Sequence, residues 1–347
     1  MPVRFEELRD RVLGCLTGLA VGDALGAPHR LMNHYSLESR FPEGVQDMHG
    51  GGKANLAPGQ WTAPTAQALV VLESILANKG LEEIDIAMRL SSLVDRHREG
   101  FGFELRDILE LLGAHPEKWE AISLQSWYHS GGTFVGNGGL TRCVPIAITR
   151  TGDLQSLVVD TTRAMRLTHY DPRCIESAIV VNFLILQCLY GQFNGDSTIQ
   201  LAAGFLESLR RENLHKNTIL RFDPAKFSAV SMDTPLRSFP EDPFAVSEAL
   251  KSIPTLRHDE LNVSQNAVSS MTCAVWALHR AKNYAQGVST IVTRGGECDK
   301  NGALTGALLG ARFGISGIPK HWLSPLHDRA RLVALTEQIL PMISMEV

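Results

Sequence analysis

The sequence predicts an all-α fold in a single domain covering residues 1–347, and three observations carry that expectation. Five long segments place apolar residues three and four apart, the spacing of one buried helix face. The strict apolar–polar alternation of a half-buried strand is hard to find anywhere. No period of roughly 20–50 residues repeats and no shift in composition marks a second domain, so a solenoid is excluded and one compact bundle remains.

Taken in order, "FEELRDRVLGCLTGLAVG" (5–22) opens the chain as a helix. In "GQWTAPTAQALVVLESIL" (59–76), Thr62 is placed as an N-cap and Pro64 sits in the first turn, where its missing N–H costs nothing, so a second helix starts there. "LEEIDIAMRLSSLVDRHREG" (81–100), "CIESAIVVNFLILQCLYG" (174–191) and "NAVSSMTCAVWALHRA" (266–281) follow with the same period. Residues 231–262 are rich in Pro, Ser and charge, and read as a surface excursion with one short helix, either a solvated connection or a lid over a pocket.

The bulk numbers narrow the function classes. With 347 residues, 44% hydrophobic and 20% charged, the chain has the composition of an ordinary globular protein. A net charge of −4 without a basic stripe or an aromatic platform speaks against nucleic acid as a partner. The six cysteines are scattered without a CxxC pair, which fits a reducing cytoplasm and neither zinc sites nor a disulfide framework. "MPVRFEELRDR" has no apolar export core, and "AIVVNFLILQCLYGQF" is short for a membrane span and carries Asn182 and Gln187, so no membrane is expected as a partner.

Two rows of glycine at every fourth position stand out: Gly14, Gly18 and Gly22, then Gly302, Gly306, Gly310 and Gly314. Glycine inside a helix costs roughly 1 kcal/mol relative to alanine, so the rows imply helices whose backbones approach closely. Close packing leaves the polar residues at the ends of the rows unexplained. Asp23 ends the first, and Glu297, Asp299 and Lys300 begin the second at a helix N-terminus, where unpaired N–H groups favour negative charge. An N-cap role for Asp299 would account for only one of the four.

Together, "GCLTGLAVGDALGAP", "GQWTAPT", "GNGGLTRCVPIAI", "THYDP" and "GGECDKNGALTGALLGARFGISGIPKHW" span residues 14–322 in this order and resemble the ADP-ribosylglycohydrolase family, which includes dinitrogen-reductase-activating glycohydrolases and jellyfish lens crystallins. The resemblance implies an orthogonally packed bundle with a central cleft. In active members that cleft holds two magnesium ions, which orient the distal ribose and a water for cleavage at the anomeric carbon. It also implies that Asn137 and Gly138 of "GNGG" line the nucleotide-ribose side, with glycine giving a ligand access to the backbone, or else form a plain turn. His169 of "LTHYDP" aligns with a family histidine near the ligand, and is either a ligand contact or a hydrogen-bonded structural residue.

The departures from the family pattern carry the functional expectation. Where relatives have T-D-D-T, this chain has Thr62, Ala63, Pro64 and Thr65; where they have G-G-D-T-D-T, it has Gly295, Gly296, Glu297, Cys298, Asp299 and Lys300; and Arg30 falls where a glutamate is usual. Magnesium needs anionic oxygen ligands. Glu297, Asp299 and Lys300 together sum to −1, too little for two divalent ions, so the dimagnesium centre is expected to be lost and Lys300 to serve as counter-ion to the two carboxylates. No metal ligand or cofactor is therefore assigned.

The expected catalytic group is Glu297, Asp299 and Lys300, acting on a glycosidic bond slowly and without metal. The expected binding group is Asp23, Arg30, Thr62, Asn137, Gly138 and His169, with an ADP-ribosyl or related nucleotide-ribose ligand. A conventional hydrolase with a single magnesium on Thr62, Glu297 and Asp299 stands as the second reading, and a catalytically silent binding or structural protein as the third. Cys298 begins a helix but has no identifiable histidine partner, so it is not read as a nucleophile.

Overall fold

A computed structural model of the chain describes residues 3–216 and 244–343. Within these residues there are sixteen α-helices and no strand. The first half holds α1 (Phe5–Gly26), α2 (His34–Arg40), α3 (Ala63–Asn78), α4 (Glu83–Ser91), α5 (Phe103–Ala114), α6 (Trp119–His129), α7 (Leu140–Thr149) and α8 (Leu154–Arg166). The second holds α9 (Pro172–Leu189), α10 (Gly195–Lys216), α11 (Ala245–Ser252), α12 (Ala267–Arg280), α13 (Tyr284–Thr293), α14 (Cys298–Phe313), α15 (Lys320–Leu323) and α16 (Arg329–Glu337).

Local chemistry sets many of the starts. Asn33, Asp153, Asp171, Asn266 and Asn283 each accept a backbone N–H of the first turn through their side chains, so α2, α8, α9, α12 and α13 begin where short polar residues stand. The helix expected over 81–100 is shorter: α4 stops at Ser91, and a 3-10 turn forms at Arg98–Gly100. Apolar period alone did not register Ser92, whose hydroxyl donates to the Arg89 carbonyl at 2.7 Å just past the helix end. Of the 231–262 excursion, residues 231–243 lie outside the described residues, and the remainder contains the short helix α11 and a 3-10 turn at His258–Glu260.

The bundle is organised on α1 and α14, both buried along almost their whole length. They run antiparallel, as the glycine partners show. A methyl group built on Gly14 would lie 2.4 Å from the Gly310 carbonyl oxygen, on Gly18 2.4 Å from that of Gly306, and on Gly22 2.0 Å from that of Gly302. The row extends one step further than the sequence suggested, because a methyl group on Gly26 would lie 2.1 Å from the Cys298 carbonyl oxygen. Gly314 joins the contact from just beyond the helix end: a methyl group on Gly14 would also lie 2.5 Å from its carbonyl carbon, while its own φ of +72° turns its open side to the Asp10 carboxylate. Backbones this close exclude any side chain, and the antiparallel register carries the end of α1 to the beginning of α14.

Helix α9 is long and apolar enough to cross a membrane by length and composition. Its apolar side chains, among them Ile179, Val181, Leu184 and Ile185, instead pack into the same core. Asn182 is fully buried there, and its amide donates to the Cys143 carbonyl at 3.0 Å and the Thr161 hydroxyl at 2.9 Å.

Candidate functional site

The site forms where the end of α1, the start of α14, the start of α3 and the loop before α7 converge. Asp23, one turn from the end of α1, is completely buried. It accepts from the Thr62 backbone N–H at 2.9 Å, the Thr62 hydroxyl at 2.7 Å, the Thr65 N–H at 3.1 Å and the Thr65 hydroxyl at 2.7 Å. Thr62 does occupy the N-cap position of α3, but its hydroxyl caps nothing, because the carboxylate of Asp23 takes over that task from another helix. Burial pushes the Asp23 carboxyl up to about 6; the donors on Thr65 and Thr62 oppose this, while the nearby charge of Asp299 adds to it.

Arg30 is seated by a pair of backbone contacts between two loops. Leu31 N–H donates to the Gly296 carbonyl at 2.7 Å and Gly296 N–H to the Met32 carbonyl at 2.9 Å. Gly295 and Gly296 have φ of +78° and +65°, and a methyl group on Gly295 would strike the Met32 carbonyl at 2.3 Å, so both positions require glycine. This pairing lays the guanidinium of Arg30 over the first turn of α14. Its Nη2 lies 3.2 Å from Glu297 Oε1, its Nε lies 3.4 Å from Asp299 Oδ2, and its Nη1 donates to the Glu99 carbonyl.

Lys300 completes the cluster from the other side. Its Nζ donates to Glu297 Oε2 and stands 3.8 Å from Asp299 Oδ2. Gln265, which no motif singled out, donates its amide to Glu297 Oε1 at 2.9 Å. Burial raises the Glu297 carboxyl, but Lys300 and Arg30 together outweigh it and hold the group below its ordinary range. With Arg30 included, the two carboxylates of the first turn face two cations and their charges cancel. Asp299 is not an N-cap: Glu297 holds that position, and neither oxygen of the buried Asp299 carboxylate has a hydrogen-bond partner.

Arg30 forms a wall shared by two hollows. One, of about 430 Å³, is lined by Arg30, Leu31, Lys53, Thr62, Glu99 and Asp299 among others. The second, of about 350 Å³, lies against Arg30, Phe134, Asn137, His169, Gln265 and Lys300. Gly138 also borders the second hollow, yet the reason for glycine there is packing within the protein, since an added methyl would meet Leu105 at 2.7 Å. Asn137 is fixed by a chain of donors: its amide donates to the Ser270 hydroxyl at 2.8 Å, which donates to Asn301 Oδ1 at 2.6 Å.

His169 is buried, stacked on Phe134 with ring centroids 4.8 Å apart, and its Nδ1 lies 2.7 Å from the Thr168 hydroxyl. Burial, with Arg142 nearby, holds its pKa well below the ordinary value, so the ring is neutral. Cys298 is inert: it is fully buried, its thiol donates to the Gly26 carbonyl at 3.2 Å, and burial drives its pKa far up. Among the described residues, no three His, Cys, Asp or Glu side chains gather into a metal-binding group.

Of the residues expected from sequence, Arg30, Thr62 and Asp299 line the first hollow, Arg30, Asn137, Gly138, His169 and Lys300 line the second, and Asp23 and Glu297 hold these side chains from behind. Gln265, Ser270, Asn301, Arg142 and Thr168 also build the site and were not singled out in the sequence. Their roles come from side-chain hydrogen bonds that form only on folding, Gln265 to Glu297 and Arg142 to Thr168 among them, and a pattern of spacing holds no trace of such contacts.

The family model for ADP-ribosylglycohydrolase matches residues 5–346. The ADP-ribosylarginine hydrolase Tri1 of Serratia proteamaculans (strain 568) is 27% identical over 346 residues, covering 97% of this chain and 80% of that protein. The ADP-ribosyl-[dinitrogen reductase] glycohydrolase of Rhodospirillum rubrum is 24% identical over 327 residues, covering 92% and 91%. A solved structure described as an ADP-ribosylglycohydrolase-related protein complex superposes with a TM-score of 0.72 at 28% identity, covering 98% of this chain and 100% of that one.

Proposed function

The chain belongs to the ADP-ribosylglycohydrolase family, and from that premise we propose that it binds an ADP-ribosyl or related nucleotide-ribose group in the cleft around Arg30 and Lys300, without a dimetal centre and with slow, metal-independent action on the glycosidic bond. The observation that supports this reading most is the pairing of Glu297 with both Arg30 and Lys300.

The residues present do not fit two divalent ions. Positions 63 and 64 are Ala and Pro, the Thr62 hydroxyl proton is committed to Asp23, and Glu297 is engaged by Arg30, Lys300 and Gln265. Only Asp299 keeps oxygens without hydrogen bonds, and two cationic side chains stand within 4 Å of it. Magnesium keeps its waters unless several anionic oxygens replace them, and one carboxylate beside two fixed cations does not do so. The same contacts speak against a single ion on Thr62, Glu297 and Asp299.

The chemistry left to these side chains is electrostatic. Glu297, held ionised, offers negative charge to an oxocarbenium-like centre, but Arg30 and Lys300 already absorb most of that field, and a group held in its ionised form is a poor proton donor. Binding therefore outlasts catalysis in this cleft. Isothermal titration with ADP-ribose and with MgCl2 tests the reading. ADP-ribose binding that magnesium leaves unchanged is the expected result; binding that requires magnesium would overturn the metal-independent part, and the absence of any binding would overturn the whole.

A further inference from the structure

Arg142 lies behind the two hollows and lines neither. Its guanidinium is fully buried on α7, and its polar partners are all neutral. Nε donates to the Ala164 carbonyl at 3.0 Å, Nη2 to the Met165 carbonyl at 3.1 Å and to the Thr168 hydroxyl at 2.6 Å, and Nη1 to Gln67 Oε1 at 3.3 Å. Two of these acceptors belong to the last turn of α8, whose partial negative charge suits a cation. An arginine is an expensive way to cap a helix inside a core, since a buried charge without a counter-ion is strongly unfavourable.

The contact with Thr168 gives the arginine a second role. Arg142 has only donors, so the Thr168 oxygen must accept from it. Thr168 is fully buried, and its hydroxyl touches one other polar atom among the described residues, Nδ1 of His169 at 2.7 Å. The hydroxyl has one proton and no other acceptor within hydrogen-bond distance, so a bare Nδ1 satisfies it, whereas a protonated Nδ1 would leave that buried proton without a partner. The imidazole proton then resides on Nε2, and Nε2 lies against the loop of Gly136 and Gly138 at the hollow shared by Asn137 and Lys300. Gly139 is part of the same arrangement, because a methyl group there would lie 3.0 Å from Arg142 Nη2 and 3.1 Å from His169 Nδ1.

We propose that Arg142 and Thr168 are positioning residues that lock His169 as a neutral imidazole protonated on Nε2, so that the cleft presents a permanent hydrogen-bond donor to an acceptor oxygen of its nucleotide-ribose ligand. The ligand half of this inference rests on the function proposed above; the tautomer does not. Beside this donor stands the Lys300 cation, so the hollow distinguishes the polar edges of its ligand by fixed polarity and not by titration.

The test uses the full chain with 15N-labelled histidine. In the wild type, the two ring nitrogens of His169 should give the signature of a bare Nδ1 and a protonated Nε2, with no ligand added. Thr168→Val keeps the shape and the Arg142 contacts to α8 but removes the relay, so the signature should change and ADP-ribose affinity should fall about tenfold. Thr168→Ser, which keeps the hydroxyl, should restore both, and it carries the test if the valine variant does not fold. A wild-type ring protonated on Nδ1, or a valine variant with unchanged signature and affinity, would overturn the relay. An Nε2-protonated wild type that binds no ADP-ribose would support the relay while overturning the proposed function.

Discussion

Arg30 and Glu297 lie 267 residues apart in the chain, yet Nη2 of one approaches Oε1 of the other to 3.2 Å. They meet because the antiparallel glycine contact of α1 with α14 brings the two helix ends together and the Leu31–Gly296 pairing turns the loop inward. Glu297 and Lys300 are almost fully enclosed, whereas the side chain of Arg30 remains 18% exposed. That difference ranks the two cations. Lys300→Met should destabilise the fold by about 3 kcal/mol, because it leaves buried carboxylates without their enclosed partner. Arg30→Met should cost about 1 kcal/mol, as solvent partly replaces the guanidinium. Urea unfolding of both variants checks this order, and equal losses would mean that the exposed cation supplies as much of the neutralisation as the buried one.

Magnesium should have no effect on the wild-type protein. Ligands that bind only the folded state raise its unfolding temperature, so millimolar MgCl2 should leave the melting curve unmoved. Restoring the family's ligand types with Arg30→Glu, Ala63→Asp, Pro64→Asp and Lys300→Thr should produce a magnesium-dependent rise. Ala63 is packed against Gly100, where a methyl on the glycine would come within 2.5 Å of its Cβ. If the restored protein gains nothing from magnesium, this crowding around residue 63 is the first place to relieve.

The fold was legible where the sequence carries a repeat in register with its partner. Gly14, Gly18 and Gly22 announced a close contact, and the second row announced its mate, because glycine at every fourth position has no other use in a helix. Gly26 was not read into the row, since its partner is Cys298 and only one side of that contact is glycine. At the site, charge type identified the residues of the first turn of α14, and motif position identified Arg30. The relay from Arg142 through Thr168 to His169 left no mark, because a buried arginine surrounded by carbonyls looks in sequence like any arginine on a helix.

The glycine contact makes its own prediction. Gly22→Ala puts a methyl 2.0 Å from the Gly302 carbonyl oxygen, so the two central helices must separate and the cleft at their ends must open. A loss of about 3 kcal/mol or more is expected, together with weaker ADP-ribose binding. Gly204→Ala is the matched control: it lies exposed on α10 with nothing near the added methyl, and should stabilise the protein by about 0.5–1 kcal/mol. Thermal unfolding of the pair separates the cost of contact from the general gain of helix propensity; a neutral Gly22→Ala would mean that α1 and α14 do not touch as described.

Acid should reveal His29, which lies beside the cleft and plays no part in its chemistry. The ring is buried, neither of its nitrogens has a hydrogen-bond partner, and it packs edge-on against Phe41 and His49. Burial, with the added charges of His49 and Arg40, lowers its pKa from 6.5 to about 4. Between those values the unfolded chain binds a proton that the folded chain refuses, so stability present above pH 6.5 is lost as pH falls towards 4. Asp23 acts in the opposite sense. Its folded pKa of about 6 exceeds the ordinary 3.8, so its contribution is greatest below 3.8 and declines as pH rises through 6. The two effects offset each other in the wild type, and the whole-protein curve conceals both. His29→Phe isolates one of them: its stability relative to the wild type should be constant above pH 6.5 and should grow by roughly 3 kcal/mol on descending to pH 4. Guanidinium unfolding across that range checks the slope, and a difference that stays flat would place the proton on His29 in the folded protein.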